Sequence, residues 1–117
     1  MRLERQIAEE QGNFRLFGLF LREDSYDKWD VVVAAPWFNK LPTDAIEFIA
    51  RRLKSAIGSS GLMMISRIIP LPDKNDFLVA VNGMVKVQHG LREIMDVDLA
   101  GVQISRGYVI TSESASS

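Results

Sequence analysis

The sequence predicts a single α+β domain in which two or three helices pack on a mixed, largely antiparallel sheet of about five strands. The chain has 117 residues, 47% of them hydrophobic, which suffices for one core but not for two. Helical and strand periodicities alternate along it, and no linker or repeat divides it. We expect the globular domain over residues 1–111. The polar segment 112–117 is expected to be disordered, because it has too little apolar surface to offset its ordering entropy.

The chain begins with a predicted helix and a pair of strands. Leu3 and Ile7 lie at helical spacing within residues 2–11, and a Gly-Asn stop follows. Residues 14–21 are apolar on both period-2 faces, which is typical of a strand in the middle of a sheet. Residues 29–35 form a second apolar, β-branched run after a polar loop. The two runs therefore predict a hairpin with a long loop.

A longer helix is predicted over residues 44–57. Thr43 is the expected N-cap, and Gly58 follows the last helical residue. Apolar residues recur every three or four positions, and we expect them to form the buried stripe: Ile46, Ile49, Leu53 and Ile57. Residues 62–69 then predict a third strand, which two prolines close.

Residues 73–82 have two interpretations. Asn82-Gly83 between apolar runs is typical of a type I′ hairpin turn. In the alternative, Asp73 caps a helix with apolar residues on one face and Gly83 just past its end. We favour the helix, and the domain is α+β in either case.

The last two strands are predicted over residues 84–94 and 102–110, with a turn between them. A polar residue interrupts an apolar face in each strand, His89 in the first and Arg106 in the second. If the two strands pair, these side chains converge on one cleft.

Composition excludes several classes of protein. The 14 basic and 15 acidic residues leave a net charge of −1, so no field gathers nucleic acid. Without cysteine there are no disulfides and no thiolate metal sites, which fits a cytoplasmic location. No apolar run is long enough for a signal peptide or a membrane span.

No catalytic or cofactor motif is present. The chain has neither a phosphate-binding glycine loop nor a Gly-x-Ser-x-Gly elbow, and its one histidine cannot build a histidine-rich metal site. We therefore expect no cofactor and no metal, and we do not favour an enzyme. The densest acidic cluster is interpreted as a solvated turn, and it consists of Glu23, Asp24, Asp27 and Asp30.

Three functions stay open at this point. The first is a non-catalytic module that binds a protein partner or a second copy of itself through Trp37 and Phe38, which follow Pro36 in a predicted loop. The second is a small-molecule-binding domain or enzyme whose ligand site is formed by His89, Arg106, Asp27 and Asp30. The third is nucleic-acid binding through a basic helix face, although Glu47 is placed to pair with one of its cations; that face consists of Arg51, Arg52 and Lys54.

Overall fold

The computed structural model describes residues 2–25 and 27–114 and has three α-helices and five strands in these ranges. The elements are α1 (Arg2–Gln11), β1 (Leu16–Arg22), β2 (Trp29–Ala34), α2 (Ala45–Leu62), β3 (Ile65–Pro70), α3 (Asp76–Met84), β4 (Arg92–Leu99) and β5 (Val102–Ser112). A short 3-10 turn, Phe38–Lys40, lies between β2 and α2.

The five strands form one mixed sheet in the order β3-β2-β1-β5-β4. The strand predicted to be central, β1, lies in the middle and pairs antiparallel with β2 and β5. The strand β4 pairs antiparallel with β5, whereas β3 is parallel to β2 because α2 carries the chain back across the sheet. The prediction of an α+β fold is confirmed, with a mixed sheet.

Helices cover both faces of the sheet. Along β2, Val31 and Val33 face α1 and α2, and Val32 and Ala34 face α3. We call these two sides the α1/α2 face and the α3 face. The first core also contains Leu3, Ile7, Phe14, Phe17, Ile49 and Leu53. The second contains Leu16, Phe20, Leu78, Val81, Leu99, Ile104 and Val109.

The α3 face is only partly covered by its helix. The nine residues of α3 span about 14 Å, and the helix contacts β4 and β5. Five strands span about 19 Å from one edge to the other. The start of α3 borders a cavity on this face, so the helix leaves part of the apolar sheet surface uncovered.

The helix α2 differs from its prediction in three details. Asp44, not Thr43, is the N-cap, because its carboxylate accepts the backbone N–H of Ile46 at 2.7 Å. The helix runs on to Leu62 across a kink at Gly58, whose φ of 74° suits glycine. Ile46 and Ile57 are exposed, so the buried stripe is narrower than predicted.

The helix interpretation of residues 73–82 is correct, with shifted ends. Asn75 caps α3 in place of Asp73, since its side-chain oxygen accepts the N–H groups of Phe77 and Leu78. Gly83 lies within the helix instead of after it.

The strand predicted over residues 84–94 begins only at Arg92. His89 has a φ of 50°, which is incompatible with an extended strand. Before it, Val87 makes a single bridge to Ser112. Residues 85–91 are therefore a connection, and β4 occupies part of the segment predicted as a turn.

The strand β5 extends further than predicted. Thr111 and Ser112 belong to it and are buried, so the disorder predicted from residue 112 onward is wrong at its first residue. Glu113 still donates its N–H to the carbonyl of Arg15. Residues 115–117 lie outside the described part of the chain. Across residues 2–25 and 27–114, no helix is both long and apolar enough to cross a membrane.

Candidate functional site

A cavity of about 890 Å³ lies on the uncovered part of the α3 face. Its floor is the apolar sheet surface, and the start of α3, the β4–β5 turn and the β1–β2 loop surround it. The apolar lining consists of Phe20, Val32, Ile69, Leu71, Phe77, Val102 and Ile104. The polar lining consists of Arg22, Glu23, Asp24, Asp30, Arg67, Asn75 and Gln103.

Two glycines make room for the aromatic ring of the floor. A Cβ atom at Gly18 would lie 2.7 Å from the ring of Phe20, and one at Gly107 would lie 3.0 Å from it. The ring can lie on the sheet because neither neighbour has a side chain. It packs edge-to-face on Phe77 of α3, with the ring centroids 5.2 Å apart. The floor is therefore fixed by the sheet and by the first turn of α3.

A buried carboxylate joins two arginines at one wall of the cavity. The side chain of Asp30 is only 5% exposed. Its Oδ2 accepts Nε of Arg22 at 2.9 Å, and its Oδ1 accepts Nε of Arg67 at 3.2 Å. Nη2 of Arg67 donates to Oδ2 at 3.4 Å, so Arg67 holds the carboxylate with two donors. We call these three residues the arginine cluster.

The strand register explains why these side chains meet. Asp30 and Arg67 are direct partners in the parallel β2–β3 pair. Phe20 is the partner of Asp30 in β1, and Arg22 follows two residues later on the same face. The cluster is therefore held by three adjacent strands, and strand positions are more rigid than loop positions.

The described lining combines apolar side chains with two guanidinium groups and three carboxylates, those of Glu23, Asp24 and Asp30. None of the described lining residues is a histidine, serine, threonine, lysine or tyrosine, which are the usual nucleophiles and bases beside carboxylates. Its buried carboxylate already accepts three arginine hydrogen bonds. Over the described ranges, no three potential metal ligands lie together.

The structure separates the four residues of the predicted ligand site. Asp30 lines the cavity, whereas Asp27 lies exposed in the β1–β2 loop. Arg106 is exposed in β5, opposite Leu21 and Met95, and does not line the cavity. His89 lies near the C-terminal end of β5, where it contacts the α1/α2 face. The expected convergence of these side chains does not occur.

His89 belongs instead to a buried hydrogen-bond network. Its Nδ1 lies 2.9 Å from both carboxylate oxygens of Glu4, which is fully buried in α1. Thr111 donates its hydroxyl to Oε2 of Glu4 at 2.9 Å and accepts the backbone N–H of His89. The network ties α1 to β5 and satisfies the buried carboxylate, as burial of a charged group requires.

The aromatic pair predicted as an interface is mostly part of the core. Trp37 is buried, and its Nε1 donates to the carbonyls of Gly12 and Asn13 at 2.9 and 3.2 Å. Its ring packs on Phe14 and Phe38 with centroid distances of 5.2 and 4.9 Å. The predicted interface needs an exposed ring at position 37, and this ring is buried because the 3-10 turn folds the pair back onto the sheet. Phe38 is half-buried against the same core.

The basic helix face is largely neutralised by ion pairs. Arg51 donates to Glu47 at 2.7 Å, which is the predicted i,i+4 pair. Arg52 lies between the helices, where it makes two hydrogen bonds of 2.7 Å to Glu10 of α1. Of the three cations, Lys54 is exposed on the outside of α2.

Two residues of the arginine cluster were not predicted from sequence. Arg67 interrupts the apolar run 62–69, which is the same signal that singled out Arg106. Arg22 stands at the end of a strand beside the acidic loop, where a charged residue is ordinary. Its position within an apolar strand could therefore have identified Arg67 as a candidate site residue, whereas the position of Arg22 gave no such indication.

Comparison with known proteins gives no indication of function. No protein-family model matches the chain, and neither a curated protein nor a solved structure matches it significantly.

Proposed function

We propose that this chain is a non-catalytic binding domain that holds a small amphipathic molecule in the cavity of the α3 face. The observation that carries the proposal is the cavity itself, with about 890 Å³ of space, an apolar floor and charged groups at one wall. Small-molecule sites have volumes of roughly 300–1,000 Å³ and combine mostly apolar linings with a few fixed polar groups.

The proposal keeps Asp30 from the ligand site expected from sequence and moves that site away from His89 and Arg106. Packing supports the new position. A sheet face left without a covering helix exposes apolar side chains to water, which is unfavourable unless something covers them. A ligand that covers the partly exposed lining residues Ile69, Phe77 and Val102 removes that cost.

The direct test is the binding of a neutral apolar dye, Nile red, by fluorescence titration. Val102 lines the cavity and is only half-buried, so Val102→Trp should fill part of the space without opening the core. We expect this variant to bind the dye at least about tenfold more weakly. The matched control is Val79→Trp, which places the same ring on the exposed side of α3 and should bind like the wild type.

Two results would contradict the proposal. One is the absence of Nile red binding to the wild type at micromolar protein. The other is an equal affinity of Val102→Trp and the wild type, once circular dichroism has shown that both are folded.

We propose as a second candidate that the chain associates with itself. Its support is a group of exposed apolar side chains where α2 meets the edge strand β3: Ile57, Met63 and Met64. Met63 and Met64 are 75% and 57% exposed. Flexible methionines are common at interaction surfaces. In a two-fold contact between two copies, each chain would cover this group of side chains on the other.

Sedimentation equilibrium over about 1–200 µM tests this candidate, a range that covers dissociation constants of micromolar dimers. We expect a dimer in the wild type and a monomer in Met63→Glu. Met95→Glu is the matched control, because Met95 is also half-exposed but lies on β4 at the opposite edge of the sheet. A wild-type monomer at every concentration removes self-association, and a control variant that also dissociates moves the contact elsewhere.

A further inference from the structure

We infer that the arginine cluster binds the carboxylate of an aliphatic or aromatic monoacid whose apolar body lies on the cavity floor. This inference rests on the proposed ligand-binding function and names the chemical class of the ligand. Three features of the cluster lead to it: the free donors of Arg67, the unequal number of charges, and the acidic residues beside the arginines.

The free donors of Arg67 have the geometry that a carboxylate requires. A guanidinium group can hold a carboxylate along the edge formed by Nε and Nη2 or along the edge formed by Nη1 and Nη2. Asp30 occupies the first edge of Arg67. In the part of the chain that the structure describes, Nη1 has no hydrogen-bond acceptor, and the side chain is 52% exposed. The second edge can therefore receive an anion from the cavity.

The charges of the cluster do not balance. Two guanidinium groups share the single buried carboxylate of Asp30. Asp24 also contacts Arg22, with Oδ1 at 3.2 Å from Nη1, but its side chain is 77% exposed, and Arg67 has no carboxylate partner besides Asp30 in the described part of the chain. One positive charge is thus left without a buried partner. A ligand carboxylate would complete a set of two guanidinium groups and two carboxylates.

Two acidic residues of the cavity lining disfavour a doubly charged ligand. Glu23 and Asp24 both line the cavity and flank Arg22 in the chain. A phosphate dianion would neutralise the cluster with its first charge and be repelled by these carboxylates with its second. Most of the ligand must in addition be hydrocarbon, because it lies against the partly exposed apolar side chains of Ile69, Phe77 and Val102.

The test compares ligands that share a ten-carbon chain and differ at the end group. We would displace Nile red from the wild type with decanoate, decanol and decyl phosphate at pH 7.5. Decanoate should bind about tenfold more tightly than decanol, which is a modest value for a charge-assisted bidentate contact. Decyl phosphate should bind more weakly than decanoate.

The Arg67→Gln variant tests the contribution of the arginine to binding separately from that of the cavity. We expect the variant to bind decanol like the wild type, which shows that the cavity is intact, and to lose the preference for decanoate. Arg67→Lys should lose part of that preference, because an ammonium group keeps the charge but lacks the planar pair of donors. The matched control is Arg106→Gln, which removes an exposed arginine that does not line the cavity and should change nothing.

Each contrary result points to a different failure. Equal binding of decanoate and decanol to the wild type would overturn the carboxylate assignment but not the ligand-binding function. An Arg67→Gln variant that binds decanoate and decanol more weakly by the same factor would have the same consequence. Tighter binding of decyl phosphate would replace the carboxylate by a phosphate. If none of the three ligands displaces the dye, or the dye itself does not bind, the proposed function fails together with this inference.

Discussion

Asp30 is the residue on which the arginine cluster depends. Its carboxylate is buried and accepts three hydrogen bonds from Arg22 and Arg67. The strand register brings the two arginines close together, and this negative charge lies between them. Removal of one partner from a buried charged group costs more than the pair contributes, since the remaining charges lose their compensation.

Asp30→Asn should therefore destabilise the fold. Breaking a fully buried pair costs about 3–5 kcal/mol, but both arginines here are partly exposed and can turn toward water. We expect a loss of about 1–2 kcal/mol in the free energy of unfolding, measured by urea denaturation. Asp27→Asn in the adjacent loop is the control and should stay within about 0.5 kcal/mol. An equal effect of the two substitutions would show that Asp30 has no special role.

Neither the burial nor the partners of Asp30 follow from the local sequence, which indicated a solvated turn. The acidic cluster over residues 23–30 placed Asp30 among candidate site residues, but Arg67 becomes its neighbour only through the parallel register with β3. That pairing joins residues 37 positions apart. Trp37 is a second residue whose burial the local sequence did not indicate, because the 3-10 turn that buries it leaves no periodic signal.

At the scale of elements, strong periodic segments were predicted and connections were not. The helix α1 has the predicted bounds, because its apolar spacing and its Gly-Asn stop agree. Asn82-Gly83 is typical of a hairpin turn, but in the structure both residues belong to the helix α3. Asn82 lies buried within that helix, and its Nδ2 donates to Ser112 and to the carbonyl of Arg15. The tertiary contacts thus decided between two locally possible structures.

The displaced strand β4 has a different cause. Its prediction relied on alternation through His89, but the backbone of His89 is in the left-handed region. For a residue other than glycine this conformation costs about 1–2 kcal/mol. The hydrogen bonds of His89 with Glu4 and Thr111 offset that cost. A contact with α1, 85 residues away in the chain, therefore ends what looked like a strand.

At the scale of the whole molecule, the two faces of the sheet have different roles. The α1/α2 face is closed by two helices, by the rings around Trp37 and by the network of Glu4. The α3 face is only partly covered by its helix and holds the cavity. The fold class followed from periodicity alone, but the open region did not, because it depends on how far one nine-residue helix reaches across the sheet.

The closed face should also make the stability of the molecule depend on pH. Glu10 of α1 accepts two hydrogen bonds from Arg52 of α2. These bonds lower the pKa of Glu10 below its ordinary value; burial opposes the shift, and the positive charge of Arg52 adds to it. A carboxyl group whose pKa is lower in the folded state stabilises the fold above its unfolded pKa. That contribution is lost as the pH falls through the folded value.

We therefore expect wild type and Glu10→Gln to differ in urea midpoint at pH 7, with the wild type more stable, and to converge as the pH falls below about 4, where unfolded glutamates become protonated. Carboxyl NMR should show the pKa of Glu10 returning toward its ordinary value in Arg52→Gln. Glu9→Gln is the control for the loss of one negative charge, because Glu9 pairs within α1, at 4.0 Å from Arg5. A midpoint difference that does not change with pH, or a Glu10 pKa unaffected by Arg52→Gln, would show that this pair does not join the two helices in solution.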